Sequence, residues 1–245
     1  MTSQALTHPT PEDLARTVAG RLIGRLHDLQ AAGRTPSVVL TGGTIAVRIH
    51  EAVAASPEAE SVDWGRVDVW FGDERFVASD DPDRNAGQAA AAMLDALPFD
   101  PARVHVMPAS DGAYGDDVDA AAAAYAADLE AAGTDGAGPR FDVLMLGIGP
   151  DGHCASLFPG RTEQAAEALA VAVRDSPKPP PTRISMTMRT LGNAHEVWWV
   201  AAGAEKAEAV RNAVQGADPV DVPAAGPKGR ESTLWLLDEA AASLL

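Results

Sequence analysis

Ser37-Val38-Val39-Leu40-Thr41-Gly42-Gly43-Thr44-Ile45-Ala46-Val47-Arg48-Ile49 is the stretch on which the fold turns. The short run 37–40 ends in three apolar residues and suits a buried strand. Paired glycines then break the chain, and Ile45, Ile49 and Val53 recur at four-residue intervals, the repeat of one helix face. Strand, glycine turn and helix in that order make up the unit from which parallel sheets are wound. Upstream, a polar start gives way to Thr10-Pro11, a helix start signal. Leu14, Val18, Leu22, Ile23 and Leu26 follow at helical spacing, so 11–29 reads as a covering helix. Downstream, the runs 67–71, 104–106, 141–148, 184–188, 197–201 and 233–236 read as strands, with helices at 85–97, 116–132 and 204–214 between several of them. Such alternation specifies an α/β fold with a mostly parallel sheet and helices on both faces. The Ala- and Gly-rich segment 111–140 has a helical middle and reads as an excursion, no repeat is visible, and residues 1–245 are expected to form a single domain.

Composition narrows the function classes. A chain of 245 residues, 46% hydrophobic and 22% charged, can bury a sizeable core. No apolar run approaches the roughly 18 residues of a membrane span, and the amino terminus lacks the basic-then-apolar order of a secretory signal. Cys154 is the sole cysteine, which rules out an internal disulfide or a thiolate metal cluster and fits a reducing, cytoplasmic setting. A net charge of -16 repels nucleic acid and anionic lipid, so neither nucleic acid nor membrane is an expected partner. The same charge repels a phosphorylated metabolite, which would have to be held by local donors: helix amides and a few Arg or Lys side chains.

In open α/β sheets ligands lie beyond the carboxyl ends of the strands, and three unusual loops end strands here. In Thr41-Gly42-Gly43-Thr44 the glycines permit a tight turn, and the following helix would offer free amides to a phosphate, with Thr41 and Thr44 hydroxyls beside them. A plain strand-to-helix turn with Thr44 as N-cap is the alternative. In Gly72-Asp73-Glu74-Arg75-Phe76, Arg75 can clamp an anion and Asp73 can accept sugar hydroxyls or orient a catalytic group. An Arg75 ion pair within the loop accounts for the residues equally well. The acids and Asn85 that follow suit a solvated loop with Asp83 or Asn85 capping the next helix. In Gly149-Pro150-Asp151-Gly152-His153 a rigid turn presents a histidine, a general base near neutral pH, with Asp151 as its possible orienter. The neighbouring Cys154 reads as a packing residue. Lys206, near a helix start where a lysine opposes the helix dipole unless an anion is present, is a phosphate candidate, and Arg183 is a second.

Taken together the loops resemble the 6-phosphogluconolactonase family. Its usual pattern combines a Ser-Gly-Gly-Ser-Thr-Pro-like turn, a Gly-Asp-Glu-Arg-Phe-Val segment and Gly-Pro-Asp-Gly-His-Thr-Ala-Ser-Leu-Phe-Pro. The second stands here at 72–77 and the third at 149–160, with Cys154 in place of threonine. The likeness continues through 179–185, 203–207 and 235–241. In the first turn the family's second hydroxyl residue is Ile45 and its proline is Ala46. The resemblance implies a modified Rossmann-like fold, no metal and no redox cofactor, and lactone hydrolysis in the oxidative pentose phosphate pathway. It also implies a small phosphosugar lactone as the only partner, in a monomer or small homo-oligomer. In that setting His153 would activate water and Asp73 would position sugar or histidine. Arg75, Lys206, Arg183 and the Gly42-Gly43-Thr44 turn would make the anion contacts. Two alternatives stand beside it: glucosamine-6-phosphate deaminase or a related isomerase, and a noncatalytic sugar-phosphate sensor. Deaminases typically carry Asp-Glu-Tyr where this chain has Asp73-Glu74-Arg75, and lack the run Ser156-Leu157-Phe158-Pro159.

Overall fold

The computed structural model describes residues 2–134 and 136–245. In chain order its strands are β1 (Thr2–His8), β2 (Ser37–Leu40), β3 (Asp68–Phe71), β4 (Asp73–Arg75), β5 (Val104–His105), β6 (Phe141–Leu146), β7 (Ala170–Val173), β8 (Arg183–Met186), β9 (Ala194–Ala201) and β10 (Ser232–Asp238). The helices are α1 (Pro11–Ala31), α2 (Thr44–Ala54), α3 (Asn85–Ala89), α4 (Val118–Ala132), α5 (Met188–Leu191) and α6 (Ala207–Val214). Seven strands form one sheet in the order β1-β10-β9-β6-β2-β3-β5, with every pairing parallel. A separate antiparallel sheet runs β4-β8-β7.

Strand residues alternate between two cores, as their period of two requires. Val38 and Leu40 of β2, Val69 and Phe71 of β3 and Val143 and Met145 of β6 share one core with Leu14 and Leu22 of α1 and Ile49 of α2. Val39, Trp70, Leu144 and Leu146 share the other with Tyr125 of α4 and Val210 of α6. Both faces of the sheet are therefore covered, which is why the central strands are mostly apolar, with polar residues such as Ser37 and Asp142 near their starts. No helix among the described residues is long and apolar enough to cross a membrane.

From β2 the chain proceeds to β3 and β5 on one side, whereas β6, β9, β10 and β1 lie on the other. The order reverses between β2 and β6, and the loops leaving these strands diverge to open a crevice at that point.

The structure departs from the sequence reading in several elements. The polar start is strand β1, paired along its whole length with β10; its side chains are largely exposed, so the backbone ladder and not apolar patterning holds this edge. The loop at 73–75 is itself a strand, and β7 is a further strand that the sequence reading did not include. The expected helix at 85–97 is α3 followed by a π-helical turn, Ala90–Leu94, closed by an Asp95 amide that reaches back five residues to the Ala90 carbonyl. The helix expected at 204–214 opens with a 3-10 turn, Ala204–Lys206, and the strand expected at 141–148 stops at Leu146.

Candidate active site

The crevice is built by fastening the first and third loops together. The Thr41 hydroxyl accepts a hydrogen bond from the Gly147 amide at 3.2 Å, joining the ends of β2 and β6. Gly43 has φ of 97°, in the region that favours glycine, and it is the N-cap of α2. Thr44 is thus the first helical residue, not the cap, and no side chain closes this helix end. The first-turn amides of α2 have no acceptor within the helix and carry the positive end of its dipole. A Cβ on Gly42 would lie 1.9 Å from the Asn85 side-chain oxygen, so only glycine lets Asn85 pack against this turn.

The second loop is carried by β4, whose antiparallel register with β8 sets Asp73 opposite Ser185 and Arg75 opposite Arg183. Asp73 is buried and accepts a 2.6 Å hydrogen bond from the Ser156 hydroxyl, which ties it to the loop beyond His153 and not to the imidazole. Glu74 is fully buried and accepts from the amides of Arg75, Asn85 and Ala86 at 2.7 to 2.8 Å, with the Arg84 guanidinium 3.8 Å away. Burial pushes its carboxyl up, against the pull of these donors. Neither Asp83 nor Asn85 caps α3, as had been expected; its N-cap position is Arg84, and the acceptor for its first amides is Glu74, delivered from the strand. Arg75 donates to the Asp83 carbonyl, and its Nε has no partner among the described residues.

The third loop sets the histidine. Gly149 accepts from the Gly152 amide and donates to the His153 carbonyl, both at 2.9 Å, closing the turn. His153 Nδ1 and Asp151 Oδ1 are 2.5 Å apart, and the imidazole, 14% exposed, packs on Phe158. A Cβ on Gly149 would fall 2.0 Å from His153 Nδ1 and 2.4 Å from Asp151 Oδ1, so this glycine makes the pairing possible. Partial burial raises the Asp151 carboxyl, but the hydrogen bond and charge of His153 outweigh it and hold it down to about 2. An ionised Asp151 places the ring proton on Nδ1 and leaves Nε2 as the acceptor, the tautomer a general base requires. Ala155, two residues on, has φ of 46°, a strained conformation next to the site. The Cys154 thiol is fully buried and pushed far up by that burial, as suits packing.

These groups line two adjoining chambers. A chamber of about 220 Å³ is bordered by Asp73, Arg75, Asn85, His153, Arg183 and Lys206, among others. Beside it lies a larger one of about 490 Å³ bordered by Thr44, Ile45 and Arg48, the two sharing Gly42, Gly43 and Lys206 among their lining residues. The structure therefore places His153, Asp73, Arg75 and Arg183 on the smaller chamber, Thr44 on the larger, and Gly42, Gly43 and Lys206 on both. Burial and the neighbouring Lys178 lower the Lys206 ammonium, with Glu205 and Asp151 acting the other way. In the smaller chamber two polar lining residues escaped the sequence reading, Asn85, expected only as a cap, and Lys178. An asparagine after an acidic loop and an exposed lysine among prolines carry no periodic or motif signal.

Residues 9–235 match the family described as glucosamine-6-phosphate isomerases/6-phosphogluconolactonase. The chain is 51% identical to 6-phosphogluconolactonase of Streptomyces coelicolor over 248 aligned residues, covering 100% of this chain and 95% of that protein. It is similar in structure to 6-phosphogluconolactonase from Trypanosoma brucei, with a TM-score of 0.81, 26% identity and coverage of 100% and 99% of the two chains. A monomeric glucosamine-6-phosphate deaminase shares the fold, with a TM-score of 0.80 over the full length of both chains, at 20% identity.

Proposed function

Because the chain belongs to the glucosamine-6-phosphate isomerase/6-phosphogluconolactonase family, we propose that it hydrolyses 6-phospho-D-glucono-1,5-lactone to 6-phospho-D-gluconate in the oxidative pentose phosphate pathway. The observation that carries this reading is the imidazole of His153, held by Asp151 at 2.5 Å, at the edge of a cleft ringed by cations.

His153 Nε2 takes a proton from the water that attacks C1, and the C1–O bond to water forms as the carbonyl electrons move onto oxygen. When the tetrahedral intermediate collapses, the bond from C1 to the ring oxygen breaks and the imidazolium returns its proton to that oxygen. The acid so released ionises, so each turnover yields one proton to solution. Asp151 keeps the ring oriented and compensates its transient positive charge. Lys206 and the first-turn amides of α2 anchor the phosphate, Arg75 adds positive charge beside the reacting centre, and Asp73, fixed by Ser156, accepts sugar hydroxyls. Ile45 provides no second hydroxyl at the helix start, so the Thr44 hydroxyl, the amides and the cations hold the phosphate.

Arg75 on β4 favours hydrolysis over deamination, since it sets a guanidinium, not a phenol, at the cleft. Purified protein should accelerate opening of the lactone above its spontaneous rate and release no ammonia from glucosamine 6-phosphate. Ammonia release without lactone opening would replace this reading with the deaminase.

A further inference from the structure

Arg183 borders the cleft, yet its Nε and Nη2 are committed elsewhere. It is almost fully buried, its Nε donates to the Pro180 carbonyl at 3.1 Å, and its Nη2 donates to the carbonyls of Lys178 and Pro179 at 3.0 and 3.2 Å. All three acceptors belong to the segment 178–180. The same segment is closed from behind by the Ser176 amide donating to the Pro181 carbonyl at 2.9 Å and the Lys178 amide donating to the Ser176 hydroxyl at 3.3 Å. Three consecutive prolines, 179–181, have fixed φ and little freedom to lose. This mounting ends in Lys178, which lines the same chamber as His153 and Lys206.

Neither Lys178 nor Lys206 has a side-chain hydrogen bond or ion pair among the described residues. Lys206 is half-buried and close enough to Lys178 for the two charges to oppose each other. The charges of Glu205 and Asp151 act on Lys206 against this repulsion, but neither forms an ion pair with either ammonium among the described residues, so a ligand that brings further negative charge to the lysines is favoured. A phosphate dianion meets that requirement in charge and in number of acceptors.

Resting on the reaction proposed above, we infer that Lys178 binds the substrate phosphate together with Lys206, and that Arg183 is a positioning residue that acts through the Lys178 loop. The lysine pair then makes the site selective for phosphorylated over unphosphorylated lactones.

Steady-state kinetics with 6-phosphogluconolactone and with unphosphorylated glucono-1,5-lactone test this in wild type, Lys178→Ala, Lys178→Arg and Arg183→Gln. Loss of one charge-assisted contact should raise KM for the phosphorylated lactone about 10- to 100-fold, with kcat changed by less than about threefold. The unphosphorylated lactone should be turned over as by wild type, and Lys178→Arg should recover part of the loss. Arg183→Gln should reproduce the KM rise and add little to it in the double variant with Lys178→Ala. Equal losses on both lactones, or none on either, would overturn the role of Lys178; additive losses in the double variant would overturn the bracing role of Arg183. If Arg183→Gln does not fold, Arg183→Lys is used in the same cycle. Calorimetric titration with 6-phosphogluconate separates this from the proposed reaction. Weaker binding to Lys178→Ala supports the lysine even where wild type hydrolyses nothing, whereas unchanged binding, or no binding to wild type, refutes it.

Discussion

In the proposed reaction Asp151 acts on His153 in two ways: it accepts the Nδ1 proton, fixing which nitrogen is free, and it counters the charge the ring acquires as it takes a second proton. Asp151→Asn preserves the shape and removes the charge, so kcat should fall at least ~10-fold with KM little changed, as stopped-flow proton release would show. Since His153 holds this carboxyl down to about 2, Asp151 keeps its charge throughout the acid range in which the enzyme can be assayed. Protonation of the Asp151 carboxyl should therefore contribute no step to the acid limb of the wild-type profile; a step there that disappears in Asp151→Asn would contradict the pairing. The place of His153, Asp73 and Arg75 at the cleft was legible in the sequence because the segments that carry them come after apolar strands, where α/β sheets bring ligands. Lys178 and Asn85 were not, because a long-range packing arrangement brings them to the cleft. The partner of Asp73 was equally hidden: Ser156, eighty-three positions away, holds its carboxylate.

Among the elements, the helix starts deserve the closest comparison with expectation. A glycine turn before α2 was readable, but the identity of the cap was not. A local reading assigned the cap of α3 to a neighbouring acid or amide, whereas the fold delivers Glu74 from β4, whose register on β8 is invisible in one strand's sequence. Glu74→Ala leaves three amides without their acceptor and Arg84 without its nearby charge, and should lower unfolding free energy by roughly 2–4 kcal/mol in urea titration. Gly149→Ala is expected to behave oppositely. Its new methyl would collide with His153 and Asp151, so turnover should drop by about 100-fold or more while urea stability changes far less. Edge strand β1 went unread for a related reason: its ladder with β10 asks nothing of its side chains.

For the molecule as a whole, the alternation of strand and helix was sufficient to specify a parallel sheet with two covered faces, and the reversal between β2 and β6 follows only once strand order is known. Stability has its own pH signature. His50, in α2, is buried with neither ring nitrogen partnered among the described residues, and burial lowers it from 6.5 to about 4. Between those values the unfolded chain binds a proton that the folded chain refuses, so stability is lost as pH falls from 6.5 towards 4, by up to ~3 kcal/mol. His50→Leu should remove that share of the pH dependence, measured as the wild-type minus variant slope in urea titrations at several pH values; parallel slopes would mean that His50 is not buried as a neutral ring.

The central claim is that His153 makes this cleft hydrolytic, and proton release from freshly generated 6-phosphoglucono-1,5-lactone, corrected for spontaneous opening, tests it directly in wild type and folded His153→Ala. Acceleration by wild type that falls about 10²- to 10⁴-fold in the variant is the expected result. Near-wild-type proton release from the variant would contradict the account.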